Sequence, residues 1–444
     1  MTSIQTSKAQ RSSGVIKRVL VFGGTGRVGG STIEWLQKMA VEEGFELEIA
    51  VAGRNRGRFD ALQRSIDAQE DLGGRRYNPL SFLELDFRDS TALQQIFLPR
   101  KSASPPSSSP RSSSSPSEQA WDLVIHTAGP FQQKKENEVL SACLEAGIAY
   151  VDVCDDTELA LSAKRNGDSI AKEKDESGGD DNDNDNDNEN GIPVLISTGI
   201  WPGVSALMAN KAVRAMERKE GAKPTQIDMN FFTAGTGGAG ATILSATFLL
   251  LCEPVRVMDG GRQRTKPPWS SNKNVDFGPH VGIKPTYLLD QPEVIMCGES
   301  LDVPNVESRF GTAPGMWNEL FKAIAVLPAS LLSNRDLMQK FAVFSLPIVQ
   351  IVDALVGSTN AMRVDAVLEK VPEEGGEPEQ RRVSSLVVHE SLSSCVGQAT
   401  AAFAIEVLRG RVQNGVHFPV ELNNENVDNI LARVKKGALT WQIP

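Results

Sequence analysis

Two hydrophobic periods share the N-terminal half of the chain. Val19–Phe22 is an unbroken apolar run. It leads through a glycine-rich turn into Ser31–Met39, whose apolar residues fall at helical spacing. The pattern is strand, tight turn, helix. Glu46–Ala52 alternates like a second strand and ends on Gly53, Arg54 and Asn55. Phe82–Asp86 predicts a third strand. Trp121–His126 predicts a fourth, running into Thr127, Ala128, Gly129, Pro130 and Phe131. Ala149–Cys154 and Pro193–Thr198 predict a fifth and a sixth. Helical patterns fall between them: one near Ser90, one from Asn137 to Ala146 stopped by Gly147, and one around Leu207 and Met208. Strands alternating with helices predict an α/β fold with a doubly wound parallel sheet.

The second half reads differently. Ile227–Phe232 is strand-like. Gly235–Gly240 is a second glycine-rich loop before an apolar helix, Ala241–Leu251. That loop suits either an anion at a helix N-terminus or close packing of the helix on a sheet. Arg363–Leu368 and Arg382–Val388 are two strands joined by a charged Pro/Gly turn, a hairpin pattern. Gln398–Arg409 is alanine-rich and is expected to pack back on the first sheet. Phe341–Val356 is the longest apolar stretch, broken by Ser345, Pro347, Gln350 and Asp353. It is too interrupted to span a bilayer. A buried core helix is the expectation, with peripheral membrane contact as the lesser alternative.

Composition narrows the classes. At 444 residues the chain has room for two domains. Its net charge of −10 is concentrated in an Asp/Asn run around residues 173–190, so the remainder is nearly neutral. No cation cluster favours nucleic acid. The Asp/Asn run does not match a calcium loop, which needs glycine and glutamate at fixed positions. Residues 1–16, the Ser/Pro stretch 99–119 and residues 172–190 are expected to be a disordered tail and two disordered insertions. Five scattered cysteines and four scattered histidines form no ligand pair, so no metal site is predicted. A cytoplasmic protein with reduced thiols is expected. A plastid-targeting role for the polar, acid-free tail stays open.

The chemistry sits in the first turn. Gly23, Gly24, Thr25, Gly26, Arg27, Val28 and Gly29 hold a Gly-x-Gly-x-x-Gly pattern, without the lysine of a P-loop. Gly23 and Gly24 suit the tight turn, Gly26 lets a pyrophosphate reach the backbone, and Gly29 lets the helix approach the strand. Where an NAD site has an acid, Arg54 stands, with Arg56 and Arg58 nearby. A guanidinium there fits a 2′-phosphate, hence NADP; the alternative is a solvated arginine cluster. Asp86 would meet an adenine edge or cap the next helix. Thr127–Phe131 would flank the nicotinamide ribose. His126 would face the cofactor or end its strand as a core histidine. No Tyr-x-x-x-Lys pair exists, and no catalytic residue is assigned. Asp155, His280 and Arg309 are the polar residues to test first.

Several segments together resemble the saccharopine dehydrogenase-like family of NADP-binding oxidoreductases, in particular its uncharacterised plant, algal and cyanobacterial branch. They are the glycine loop, Gly53-Arg54-Asn55, Ala128–Phe131, Tyr150-Val151-Asp152, Gly199-x-x-Pro202-Gly203, Gly397–Gly410 and Gly415–Pro419. The resemblance implies a Rossmann domain over 17–205. It implies a second α/β (α+β) domain with a mixed or antiparallel sheet over 206–391, for substrate and dimerisation, and C-terminal helices over 392–444 returning to the first domain. It also implies a homodimer and hydride transfer to or from a C–N or C=C bond of a small molecule. A non-catalytic NADP-binding regulator or a lipid-associated scaffold are the alternatives. Trp201 stands where amino-acid-handling members carry an acid, which favours apolar or flat ligands.

Overall fold

The computed structural model describes residues 16–73, 77–98, 121–177, 191–235, 241–370 and 379–444. The chain opens with alternating elements: β1 (Ile16–Phe22), α1 (Arg27–Glu42), β2 (Glu46–Gly53), α2 (Arg56–Gly73), β3 (Ser81–Glu84), α3 (Ser90–Phe97), β4 (Leu123–His126), α4 (Glu138–Ala146), β5 (Ala149–Asp152), α5 (Thr157–Ser177), β6 (Pro193–Leu195) and α6 (Val204–Glu220). Then come β7 (Gln226–Ala234), α7 (Ala241–Leu250), β8 (Val255–Asp259), β9 (Arg262–Lys266), β10 (Lys273–Asp276), β11 (Ile283–Leu288), α8 (Glu293–Ser300), β12 (Asn305–Ala313), α9 (Met316–Ala325), α10 (Ala329–Leu332), α11 (Arg335–Val356), β13 (Thr359–Lys370) and β14 (Glu379–His389). The chain closes with α12 (Leu392–Leu408), β15 (Gly415–His417), α13 (Asn424–Val434) and β16 (Thr440–Gln442).

The first sheet is parallel throughout, in the order β15-β6-β5-β4-β1-β2-β3. Its central strands are apolar on both faces because helices cover both. Val19, Leu20, Val21, Leu123, Val124 and Ile125 are fully buried. The second sheet is mixed. β12 and β7 run parallel, while β13 and β14 form the antiparallel hairpin expected of their sequence. Long α6 packs on β13 and β14.

The alanine-rich α12 lies against α1, β4 and β5. A Cβ on Gly397 would stand 2.6 Å from the Cβ of Ser31, so the two helices meet almost backbone to backbone. An ionic cluster fastens this C-terminal segment. Fully buried Glu406 accepts from Arg433 at 2.6 Å and Arg411 at 3.1 Å, and Arg433 also reaches Glu43 at 2.6 Å.

Several sequence expectations need correction. Ile16 is not tail but the first residue of β1, paired with Glu46. Residues 172–177 are the last turns of α5 rather than a disordered insertion. Residues 1–15, 99–119 and 178–190, and positions 236–240 of the second glycine-rich loop, lie outside the described residues. The fifth strand stops at Asp152 because its carboxylate accepts the backbone N–H groups of Cys154 (3.0 Å) and Ser197 (2.8 Å), which turns the chain away. Residues 392–444 are not helices alone: β15 extends the first sheet and β16 pairs with β14 in the second. Finally, α11 is not a buried core helix. Met338, Ala342 and Val349 pack towards α7, while Val343, Phe344, Ile348 and Ile351 face outward, with Phe344 75% exposed. Its apolar residues exceed what one neighbouring helix can cover. No helix among the described residues is long and apolar enough to cross a membrane.

Candidate functional site

The first sheet changes winding direction between β1 and β4, and ligands of such sheets sit beyond the strand ends at that point. The loops after β1 and β4 meet there. Thr127 N–H and its hydroxyl both bond the Phe22 carbonyl, at 2.9 and 2.8 Å. Gly23 adopts φ +77°, and a Cβ on it would lie 2.7 Å from the Ala128 nitrogen. At Gly29 a Cβ would come within 2.3 Å of the Gly23 carbonyl oxygen and 2.6 Å of Thr127 Oγ1. Gly29 therefore closes the helix onto the loop itself. Gly26 differs. Its backbone is ordinary extended (φ −81°, ψ 170°), and within 4 Å an added Cβ would meet only the Gly23 oxygen, at 3.1 Å. Gly26 is also the N-cap of α1; no side chain caps that helix and its first turn holds no acid. The turn from Arg27 to Gly29 thus offers donors and a positive dipole end to an anion.

At the end of β2, Arg54 keeps most of its side chain exposed and lies 3.7 Å from Asp86. Asp86 is gripped by Arg88 at 2.5 Å, which holds its carboxyl down at about 2. It does not cap α3; Asp89 does, accepting from the Ala92 N–H at 3.1 Å. Asn55 opens α2 by accepting the Arg58 N–H at 3.0 Å. Arg56 is tied to Asp60 at 3.0 Å and lies over the Phe59 and Phe82 rings. Arg56 is thus committed to its own helix, while Arg54 keeps its guanidinium mostly exposed at this corner.

His126 proves to be a core residue. Its ring packs against Phe22, Phe87 and Phe131, and Nδ1 lies 3.0 Å from the Tyr150 hydroxyl. Tyr150 in turn donates to Asp152 at 3.0 Å. Burial pushes the imidazole down to about 3, so it stays neutral.

Between the two domains, at this same edge, lies a cavity of about 250 Å³. Val28, Gly129 and Phe131 open it on the glycine-loop side. Trp201 stacks on Phe231 (5.4 Å, 14°) and forms a flat wall. Leu244, Phe310 and Phe321 close the side of the second domain. Arg335 at the start of α11 donates to the carbonyls of Pro130 (3.1 Å) and Gln132, clamping the second domain onto the loop after β4.

Of the three polar residues singled out from sequence, only Asp155 lines this cavity. Burial pushes its carboxyl up to about 6, against the pull of the neighbouring Gln132 amide. His280 is exposed on the turn between β10 and β11. Arg309 is buried on β12, paired with Glu307 and donating to the Ser271 carbonyl at 3.2 Å. Gln291, Thr233 and Thr312 also line it and were missed; isolated glutamines and threonines carry no sequence signal. A larger groove of about 660 Å³ between α4 and α5 includes neither the glycine loop nor the 199–203 turn. Among the described residues no group of three or more His, Cys, Asp or Glu side chains is placed to hold a metal ion.

A parallel sheet with an uncapped glycine turn at its switch point, closed by a mixed-sheet domain over a shared cavity, defines a two-domain dinucleotide-binding architecture. The chain is similar in fold to apo saccharopine dehydrogenase (L-Glu forming) from Saccharomyces cerevisiae. That likeness has 14% identity and a TM-score of 0.56, and covers 94% of this chain and 97% of that one. Looser likenesses include an oxidoreductase from Sinorhizobium meliloti (12% identity, TM-score 0.36, covering 95% and 94%). An engineered D-amino acid dehydrogenase bound to NADP⁺ is another (12%, TM-score 0.39, 94% and 99%). At these identities the likeness to the yeast enzyme concerns the fold, and the two looser ones carry no argument. No protein-family model and no curated protein matches the chain.

Proposed function

We propose that this protein is an NADP(H)-dependent oxidoreductase of a small molecule, acting on a C–N or C=C bond. The observation that carries the reading is the α1 N-terminus. It is free of cap and acid, it faces the loop after β4, and the apolar cavity begins at its Val28. Gly23, Gly24, Thr25, Gly26, Arg27, Val28 and Gly29 would hold the pyrophosphate, Arg54 the 2′-phosphate, and Asn55 would shape that corner. Thr127, Ala128, Gly129, Pro130 and Phe131 would flank the nicotinamide ribose. When bound, the nicotinamide supplies or takes a hydride. The protein's own part would be orientation and exclusion of water: Trp201, Phe310 and Phe321 line a flat apolar slot beside the loop. A regulator without turnover is the second reading, favoured by the scarcity of acid–base groups, since Asp155 alone is ionisable among the described residues of the cavity wall.

The test is thermal protection. NADPH at about 100 times its Kd adds about 2.7 kcal/mol to stability, visible as a raised unfolding temperature. Gly26→Ala is expected to abolish that rise. Deuterium transfer from labelled NADPH into a product separates an enzyme from a regulator.

A further inference from the structure

The polar content of the cavity wall is lopsided. Asp155 is the one charged side chain among its described residues; no lysine, arginine or histidine lines it. Gln291, just before α8, also lines it. Gln291 is 4% exposed, and its Oε1 has no donor among the described residues. Asp155 is an acceptor when ionised, and the Gln291 amide carries an unpaired acceptor beside its own N–H donors. Nearby guanidinium groups are committed elsewhere: Arg335 to the carbonyls of Pro130 and Gln132, and Arg256 to Asp290 at 2.7 Å and Glu158 at 3.4 Å. Everything else that meets a ligand here is aromatic, aliphatic, hydroxyl or backbone.

A buried acceptor without a donor is costly, and the half-buried Asp155 carboxylate, with the Gln132 amide beside it, meets no cation among the described lining residues. A ligand that completes this wall brings N–H donors and a positive charge at one end and an apolar body for the rest. A ligand carboxylate would find no cation and would face Asp155. Resting on the oxidoreductase reading above, we propose that the substrate is an apolar amine lacking a carboxylate, its nitrogen held between Asp155 and Gln291. In the oxidative direction the ammonium first gives one proton to Asp155. The C–H bond on the carbon next to nitrogen then breaks, and its electron pair leaves as hydride to the oxidised nicotinamide. The nitrogen lone pair forms the C=N bond. The amine loses two electrons, the cofactor gains them, and water hydrolyses the resulting iminium.

The experiment is calorimetric binding to the protein saturated with NADP⁺. The probes are benzylamine, N-methylbenzylamine and cyclohexylamine, compared with phenylalanine and benzyl alcohol. At least one amine is expected to bind, with phenylalanine and benzyl alcohol at least about tenfold weaker. Asp155→Asn is expected to remove the preference for amine over alcohol while NADP⁺ affinity stays within about twofold. Gln291→Leu, which keeps the bulk and loses the acceptor, is expected to weaken the amine about tenfold. Phenylalanine binding as tightly as the amines overturns the proposal, as does an unchanged amine preference in both variants. Binding of NADP⁺ with none of the three amines overturns the substrate class alone. Failure of NADP⁺ itself to bind overturns the oxidoreductase reading, and this proposal with it.

Discussion

Substituting alanine at Gly26 and at Gly29 separates what the loop does for the fold from what it does for a ligand. At Gly29 the new Cβ would sit 2.3 Å from the Gly23 oxygen, about 1.1 Å inside the 3.4 Å where ordinary contact begins. The obstacle is backbone, so the first turn of α1 has to withdraw from the loop by about that distance. Overpacking of this kind costs about 1–3 kcal/mol, a fall of roughly 2–10 °C in unfolding temperature for a domain of this size. At Gly26 the backbone already has angles open to alanine. The closest contact, 3.1 Å to the Gly23 oxygen, is relieved by a few tenths of an ångström. Gly26→Ala is therefore expected to unfold within about 1 °C of the wild type. Its methyl, however, projects where a pyrophosphate would approach, so NADPH affinity falls at least about a hundredfold, or 2.7 kcal/mol. Differential scanning calorimetry with and without NADPH reads both quantities. A Gly26→Ala protein that binds NADPH normally refutes the ligand role of this turn. A Gly29→Ala protein of unchanged stability refutes the packing argument.

Three further outcomes follow from the same geometry. Glu406→Ala strips a fully buried carboxylate from Arg433 and Arg411, although Arg433 keeps Glu43; a loss of about 3 kcal/mol is expected in urea unfolding, and less than about 1 kcal/mol contradicts the clamp. Asp155 ionises at about 6 when folded against 3.8 unfolded, with Asp152 and Asp156 on its own segment, Glu293 on α8 and Gln132 beside it. Its cost to the fold is therefore absent below pH 3.8, grows through the interval and is complete above about pH 6, so Asp155→Asn raises stability at pH 7.5 but not at pH 3.5. Amine binding strengthens as pH rises through about 6 in the wild type and not in Asp155→Asn; a parallel profile in both proteins excludes Asp155 as the partner.

What the sequence reveals is local. The turn from Gly23 to Gly29, the strand before it and the helix after it are encoded within about twenty residues, by one apolar run, one glycine spacing and one helical period. The end of β2 at Gly53 is legible for the same reason. Strand ends are not. Val153 and Cys154 continue the apolar run, but Asp152 turns the backbone away by bonding to Ser197, 45 residues on. The helix cap falls at Asp89 rather than Asp86 because Arg88 claims the earlier carboxylate. β15 and β16 are three residues each and exist only through pairing with distant strands. The cavity is least visible of all. Gln291, Phe310, Thr312 and Phe321 come from the second domain and share a cavity with Asp155 and Trp201 only through tertiary packing.

The most direct measurement is a titration of intrinsic tryptophan fluorescence with NADPH and with NADH, on the wild type and on Arg54→Ala. Trp201 stands in the cavity wall and reports occupancy. The wild type is expected to prefer NADPH by about tenfold or more, 1.4 kcal/mol, and Arg54→Ala is expected to lose that preference while still binding NADH. Equal affinity for the two cofactors, or a preference that survives without Arg54, contradicts the assignment of the 2′-phosphate. Binding of neither contradicts the dinucleotide site itself.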